Sequence, residues 1–170
     1  SPQQQAAIVT FLRRPLTDPR VQSETGPFQR PALYTESASV PQPATVGTPG
    51  NGGAVPRLTA YEPPLSGSGD FTLGVDGGLP SAQARALLAL SDPTDVTATA
   101  LASVDFTLSG LGAGSVELPL PSRAAVGSAD LYLRVYVQDP AAVGGWSATG
   151  SVRFQLIGAD DALMLDGFED

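Results

Sequence analysis

Carboxylates are the only plentiful side chains in this sequence that could do acid–base chemistry. The chain has 170 residues with 17 Asp and Glu, no His and no Cys, and its nine basic residues are all Arg. Ser–His–Asp, Cys–His and Ser–Lys centres are therefore excluded, as are Schiff-base chemistry, disulfides and zinc-thiolate sites. What remains chemically possible is a pair of carboxylates several ångströms apart in a cleft, the arrangement that glycoside hydrolases use.

The candidate carboxylates do not form a recognisable catalytic or metal-binding motif. Turn formation and solubility are the usual roles of such residues beside strands and turns: Glu62, Asp70, Asp76, Asp105, Glu117 and Asp130. Calcium would suit the oxygen ligands of the closely spaced Asp160, Asp161 and Asp166. The sequence has no Asp-x-Asp-x-Asp-Gly loop, so an exposed acidic tail is the simpler interpretation. We expect no catalytic residue and no metal ligand in this chain.

A small number of aromatic residues could instead form a binding surface. Trp146 is the only Trp. It could line a sugar-binding surface, act as a redox-active ring, or pack over the end of a sandwich. Tyr132, Arg134 and Tyr136 are spaced to share one face of a predicted strand, which could be a partner surface or an ordinary mixed outer face.

The charge and composition exclude several classes of partner and architecture. The formal net charge of −8 argues against nucleic acid and anionic membranes, because both need basic patches. No apolar run approaches the roughly 20 residues of a membrane span. With 42% hydrophobic residues, the chain can form one hydrophobic core.

The part of the chain that would position a carboxylate or aromatic site has the sequence pattern of a series of short strands. Apolar residues alternate with polar ones in several stretches, including Phe71, Leu73 and Val75; Val104, Phe106 and Leu108; Leu131, Leu133, Val135 and Val137; and Val152, Phe154 and Leu156. Turn-forming residues separate the stretches. Residues 84–90 suit a buried strand better than a helix, and the glycines of residues 110–114 suggest a hairpin. The pattern predicts a mainly β fold, an antiparallel β-sandwich of about six to eight strands, Ig-like or jelly-roll-like.

A short helix and an extended arm are predicted before this sandwich. Ser1, Pro2 and Gln4 fit a helix start with a capping box, and Pro15 should end the helix within a residue or two. Ile8, Phe11 and Leu12 fall on one face of this helix, over residues 1–14. The helix is too short to be stable alone, so we expect it to pack on the sandwich or on a partner. Residues 15–57 are rich in Pro and lack a regular period.

The resulting organisation has four parts. Residues 1–36 form the helix and arm, residues 37–57 a Pro- and Gly-rich linker, and residues 58–158 the sandwich. Residues 159–170 form an acidic C-terminal tail with a hydrophobic stripe, which could be a final edge strand or a recognised terminal tag.

The first 34 residues resemble a known family. The stretch SPQQQAAIVTFL at residues 1–12 and LTDPRV at 16–21 resemble the C-terminal end of di-haem cytochrome c peroxidases, including the MauG-like enzymes. Glu24, Pro27 and Phe28, and then Leu33 and Tyr34, are similar to the continuation in some members. Residues 128–140 and the ending LDGFE resemble β-sandwich modules and C-terminal motifs of secreted bacterial proteins.

The resemblance implies a non-catalytic role for this chain. The family's activity needs Cys-x-x-Cys-His haem-attachment motifs, and the sequence has neither Cys nor His. We therefore expect no cofactor in this chain, and haem c in a parent or partner polypeptide. The chain would be a C-terminal accessory module, periplasmic or extracellular, that docks on the haem-bearing portion. The expected interface residues are Ile8, Phe11, Leu12, Val21, Phe28, Leu33 and Tyr34. The alternatives are a free-standing secreted sandwich that binds carbohydrate or a surface, and a self-assembling structural subunit.

Overall fold

The architecture is a β-sandwich preceded by a helix and an arm. A computed structural model describes residues 1–16, 19–23, 32–50, 52–158 and 163–164. The helices are α1 (Pro2–Leu16), α2 (Pro19–Gln22) and α3 (Arg123–Val126). The strands are β1 (Ala32–Leu33), β2 (Gln42–Pro43), β3 (Arg57–Ala60), β4 (Phe71–Asp76), β5 (Gln83–Ala89), β6 (Ala102–Thr107), β7 (Gly114–Leu118), β8 (Leu131–Gln138), β9 (Trp146–Ala148), β10 (Val152–Phe154) and β11 (Leu163–Met164).

Helix α1 begins as its sequence predicts. The backbone N–H of Gln4 donates to Ser1 Oγ at 3.4 Å, and Ser1 N donates to Gln4 Oε1 at 2.8 Å, which is the reciprocal pattern of a capping box. Pro2 occupies the first helical position, where its missing N–H costs nothing. The helix ends at Leu16, one residue beyond Pro15, as expected. The side chains of residues 1–12 are all exposed, so this part of α1 is not buried against the sandwich.

Two antiparallel sheets of different size form the sandwich. The smaller sheet has the order β3-β4-β7, and the larger has the order β2-β10-β8-β5-β6 with β9 also paired to β8. Nine strands of the described residues therefore form the two sheets. From β3 to β10, the first, second and fifth strands share one sheet and the rest belong to the other. This is the immunoglobulin-like order rather than a jelly roll, and it confirms the predicted β-sandwich.

The core lies between the sheets and consists of the residues that alternate in the sequence. Phe71, Leu73, Leu131, Leu133 and Val135 are inaccessible to solvent, and other apolar residues of β4, β5, β7, β8 and β10 pack with them. The Phe71 ring of the small sheet meets the Phe154 ring of the large sheet with centroids 5.7 Å apart. Burial of such side chains contributes about 1.5–3 kcal/mol each.

Two local predictions had different outcomes. Residues 84–90 were expected to form a strand, and β5 confirms this. The hairpin expected at residues 110–114 is wrong, because β6 pairs with β5 while β7 pairs with β4 in the other sheet. The turn is present, with Gly112 N donating to Ser109 O at 2.9 Å, but it carries the chain from one sheet to the other. Strands that bury one face satisfy their alternation in either sheet, so the local pattern does not decide the pairing.

The segment predicted as a linker is hydrogen-bonded to the sandwich. Ala44 N donates to Ser151 O at 2.8 Å, and Thr48 exchanges two backbone bonds with Ala148. Strand β2 pairs with β10 and lies at the edge of the large sheet. The close approach requires glycine at residue 150, where a Cβ atom would lie 2.5 Å from Thr45 O. A Pro-rich segment therefore forms part of the edge of the large sheet.

The predicted acidic tail is described only in part. Leu163–Met164 form β11, which pairs in parallel with β1 through the partners Ala32↔Leu163 and Leu33↔Met164. The predicted final edge strand thus corresponds to only two residues, and these lie outside the two sandwich sheets. The remaining tail residues lie outside the described part of the chain.

A surface ion pair between β5 and β6 predicts a small pH dependence of stability. Arg85 donates through Nε to Asp105 Oδ1 at 2.6 Å and through Nη2 to Oδ2 at 2.9 Å, and the side chains are 41% and 62% exposed. The hydrogen bond from Arg85 lowers the pKa of Asp105 below its ordinary value. Its stabilisation is therefore present above the unfolded-state pKa of about 3.9 and is lost as the pH falls through the lower folded-state value.

We accordingly expect Asp105→Asn to reduce the free energy of unfolding at pH 7 by less than about 1 kcal/mol, because exposed pairs are screened by water and salt. The difference between wild type and variant should shrink towards zero in strongly acidic buffer. Urea unfolding at both pH values measures it. A difference that grows on acidification would contradict this account.

Candidate functional site

Two of the outward side chains of β8 are covered, which sequence analysis did not foresee. Tyr132, Arg134 and Tyr136 were expected to form an exposed mixed face or a partner surface. Tyr132 is half-buried, but Arg134 is only 8% exposed and Tyr136 only 5%. The prediction is wrong for these two, because the β5–β6 connection and the segment before β3 fold over this part of the sheet.

The Arg134 guanidinium donates hydrogen bonds to three separate segments of the chain. Its Nε donates to Thr149 O at 3.0 Å, its Nη1 to Pro93 O at 3.3 Å and its Nη2 to Val46 O at 3.4 Å. Thr149 follows β9, Pro93 lies in the β5–β6 connection, and Val46 lies between β2 and β3. A buried guanidinium needs such partners, and its planar fork is suited to several acceptors at once.

Tyr136 reinforces the same arrangement. Its hydroxyl donates to Pro93 O at 2.7 Å, so the Pro93 carbonyl accepts from both Tyr136 and Arg134. The Arg134 guanidinium lies 5.5 Å from the centre of the Tyr136 ring, within cation–π range. Burial raises the pKa of the Tyr136 hydroxyl, which keeps it protonated as a donor. The β5–β6 connection is therefore fixed at Pro93 before it reaches residues 94–97.

Beside Tyr136, on the outer side of the large sheet, lies an open groove, which we call the Trp146 groove. It has a volume of about 430 Å³ and is formed by the three tethered segments. Its lining residues come from residues 48, 94–97, 143–144 and β8–β9, and they include Thr48, Thr94, Asp95, Thr97, Val143 and Trp146.

Trp146 forms a supported apolar wall of the groove. It is half-buried and packs against a small cluster made of Leu87, Tyr136 and Ala148 on the outside of the large sheet. Val143, at 92% exposed, is the most exposed large apolar side chain beside it. A ring held on one side and accessible on another can act as a rigid stacking surface.

Asp95 supplies the polar side of the groove. Its Oδ1 accepts hydrogen bonds from Thr97 N at 2.7 Å and from Thr97 Oγ1 at 2.6 Å, and neither bond uses Oδ2. These bonds from Thr97 hold the pKa of the Asp95 carboxyl below its ordinary value, so it is ionised at neutral pH. Asp95 is the one acidic residue among the described residues that line the groove.

Among the described residues, the groove lining does not bring together the two carboxylates that glycoside hydrolysis requires. Five of the six carboxylates that the sequence suggested for such a pair have partners outside the groove. Asp105 pairs with Arg85, Asp130 lies 3.5 Å from Arg153, and Asp70 accepts from Ser68. Glu62 bonds to Thr72, and the Asp76 carboxylate accepts from Gly77 N.

Carboxylates are also the side chains here that could hold a metal ion such as calcium. Among the described residues, no group of three or more Asp and Glu lies close enough to hold a metal ion. Asp160, Asp161 and Asp166, the calcium candidates, lie outside the described part of the chain. None of the described helices is long and apolar enough to cross a membrane.

The predicted interface residues that the structure describes are not among the residues that line the groove. Ile8, Phe11 and Leu12 are 58%, 71% and 55% exposed on α1. Leu33 and Tyr34 are half-buried, and burial raises the pKa of the Tyr34 hydroxyl. Phe28 and the side chain of Val21 lie outside what the structure describes. Their role as an interface stays a prediction.

Sequence reasoning identified one wall of the groove but not the other. Trp146 was singled out because it is the sole Trp. Thr48, Asp95 and Thr97 were missed, since no motif marks them, although an Asp two residues before a Thr is typical of a side-chain-stabilised turn.

Comparison with known proteins adds no relative to this picture. No protein-family model matches the sequence. A search of the curated proteins finds no match either.

Proposed function

We propose that this chain is a non-catalytic accessory module that docks through α1 and the following arm onto a larger haem-bearing polypeptide of the di-haem cytochrome c peroxidase type. The observation that supports it is the exposure of the apolar side chains of α1. Ile8, Phe11 and Leu12 remain accessible while the sandwich core is closed without them.

The apolar face of α1 fits a docking element better than a free helix. Residues 8, 11 and 12 are neighbours on one side of the helix, and Gln3, Gln4 and Gln5 give the first turn a polar character. A helix of 15 residues is marginal alone in water, so tertiary or partner contacts must stabilise it. Burial of each large apolar side chain would contribute about 1.5–3 kcal/mol.

The class of partner follows from the resemblance of residues 1–34. In di-haem peroxidases the corresponding stretch ends the haem domain, and the sandwich here would be appended to it. This chain contributes no Cys and no His, so haem c belongs to the parent or partner polypeptide. Electron transfer and peroxide chemistry would also take place there. A periplasmic or extracellular location follows from the same resemblance.

The direct test is to isolate the native assembly that contains this sequence. We expect a Soret absorbance band that co-purifies with the sandwich. Intact-mass measurement of the native polypeptide then distinguishes a haem portion on the same chain from a separate partner. A colourless assembly would refute the proposal.

Substitution of Phe11 tests the docking role of α1. We expect Phe11→Asp to weaken binding to the haem-bearing portion by at least about 30-fold, the loss of a typical hot-spot residue, because a charge would enter an apolar contact. The far-ultraviolet circular dichroism and unfolding midpoint of the sandwich should stay unchanged, since Phe11 is 71% exposed.

Ala6→Asp is the matched control, because residue 6 falls on the opposite side of α1 from residues 8, 11 and 12. It adds the same charge to the same helix and should leave binding nearly unchanged. Equal loss of binding in both variants would show that helix charge, not the apolar face, matters. Full binding by the Phe11→Asp protein would exclude the docking role.

A further inference from the structure

We propose that the Trp146 groove binds a neutral pyranose unit of an oligosaccharide, stacked on the Trp146 ring and hydrogen-bonded by Asp95 and the neighbouring threonines. This inference is independent of the docking proposal, because it concerns different residues on the sandwich. The volume of the groove, about 430 Å³, falls within the range of small-molecule sites.

The chemistry of the two walls matches the two kinds of surface on a pyranose. A sugar ring presents an apolar C–H face and a rim of hydroxyl groups. Trp146 and Val143 supply an apolar wall, and Asp95, Thr97 and Thr48 supply acceptors and donors at its edge. A flat aromatic ring with hydroxyl-binding groups beside it is therefore complementary to a sugar, and a purely apolar ligand would offer no donor to Asp95 Oδ2, which the bonds from Thr97 do not use.

The site is organised before any ligand arrives. Thr97 fixes one oxygen of Asp95, and the Arg134–Tyr136 pair fixes Pro93 two residues earlier. The packing of Trp146 against Leu87 and Ala148 holds the stacking surface. A preorganised site loses less conformational entropy on binding, so few contacts can suffice for specific recognition.

The charge of the groove selects against acidic sugars. Asp95 is ionised, and none of the described residues that line the groove is basic. The nearby Arg134 is buried and donates to three backbone carbonyls beneath the groove. A uronic acid or sulfated sugar would meet the Asp95 carboxylate without a cation to compensate it, which is unfavourable.

Trp146 also makes the test direct, because it is the only Trp and its fluorescence reports on this groove alone. The probes are cellotetraose, maltotetraose and chitotetraose as neutral oligosaccharides, with tetragalacturonate as the acidic comparison. We expect a saturable change in Trp emission with at least one neutral probe and a weaker response to tetragalacturonate. No saturable response to any neutral probe, or a preference for the acidic one, would overturn the proposal.

Variants then assign the contacts. Asp95→Asn retains the fluorophore and should raise the Kd of the responding probe at least tenfold, the factor expected for loss of one hydrogen bond to a charged group. Trp146→Ala should abolish binding measured by calorimetry. Tyr61→Ala removes an exposed aromatic residue that follows β3 of the small sheet and should leave the Kd unchanged.

Folding is checked by circular dichroism and urea unfolding for each variant. If Trp146→Ala is unfolded, the Asp95→Asn and Thr97→Val proteins decide. Binding unaffected by both of them, or lost in Tyr61→Ala alone, would refute the assignment to this groove. Docking through α1 can succeed or fail without changing these results, since Phe11→Asp leaves the groove intact.

Discussion

Replacing Arg134 with Met should lower the free energy of unfolding of the sandwich by about 1–3 kcal/mol, which is the cost of one buried carbonyl left without a partner. Three carbonyls depend on this side chain, those of Thr149, Pro93 and Val46. Pro93 O would keep the Tyr136 hydroxyl as a donor, and Val46 is exposed to water, so the buried Thr149 carbonyl carries most of the cost. The Met side chain can retain part of the packing of the Arg stem, which makes this a test of the hydrogen bonds rather than of volume.

Arg85→Met is the matched control on the adjacent strand β5. Its guanidinium is exposed and contacts Asp105 across the sheet, so its loss should cost less than about 1 kcal/mol. Urea unfolding followed by circular dichroism measures both variants. Equal shifts in the two proteins would show that Arg134 does not hold the covering segments.

The same substitution should disturb the Trp146 groove. The segments that carry Thr48, Asp95 and Ala148 are tethered to the one guanidinium, and their release would expose Trp146 to more water. We therefore expect a red shift of Trp emission in folded Arg134→Met, but no shift in Arg85→Met. An unchanged spectrum in a destabilised protein would separate the stabilising role of Arg134 from any role in shaping the groove.

Replacing Gly112 with Ala should lower the free energy of unfolding by about 2–6 kcal/mol, the sum expected for left-handed backbone strain and overpacking. Gly112 has φ +75°, and a Cβ atom there would lie 2.1 Å from Gly78 O. The obstacle is backbone, so a side-chain rotation cannot relieve it. Gly78 N also donates to Gly112 O at 2.9 Å, which links the two turns that carry the chain between the sheets.

Gly110→Ala is the control within the same turn. A Cβ atom at residue 110 would have nothing within 4 Å, and its φ is not in the left-handed region. We expect a change within about 0.5 kcal/mol, as for surface substitutions in general. Chemical denaturation of both proteins distinguishes a specific collision at residue 112 from a general need for glycine in the turn. Similar losses in the two variants would refute the collision.

Local features of the fold were readable from the sequence because they depend on near neighbours. The alternation of Leu131, Leu133, Val135 and Val137 identifies a strand with one buried face, and β8 buries all four. The capping box of Ser1 and Gln4 works in the same way, over three residues of chain. These patterns reflect periodicities that any strand or helix must obey.

Features that depend on distant partners were not readable. Residues 110–114 form the expected turn, yet β6 and β7 belong to different sheets. Residues 37–57 have the composition of a linker, but β2 pairs with β10, more than 100 residues later in the chain. Pairing choices of this kind are decided by competition among all strands for the same core, which no local window contains.

The candidate site also combines features that the sequence revealed with features that it did not reveal. Composition alone determined that the chain has no Cys, His or Lys, which excludes thiol, imidazole and lysine side-chain chemistry within it. The single Trp was visible as well, but nothing in the sequence placed Asp95 and Thr48 beside it.

Only the tertiary structure decided that Arg134 is buried and that three segments meet above it. In the alternation of β8, Arg134 occupies an outward position, and an Arg there is ordinarily exposed. It becomes a buried anchor because backbone carbonyls from residues 46, 93 and 149 converge on it. A backbone carbonyl carries no sequence signature, since every residue has one, so the groove is a product of chain folding rather than of residue type.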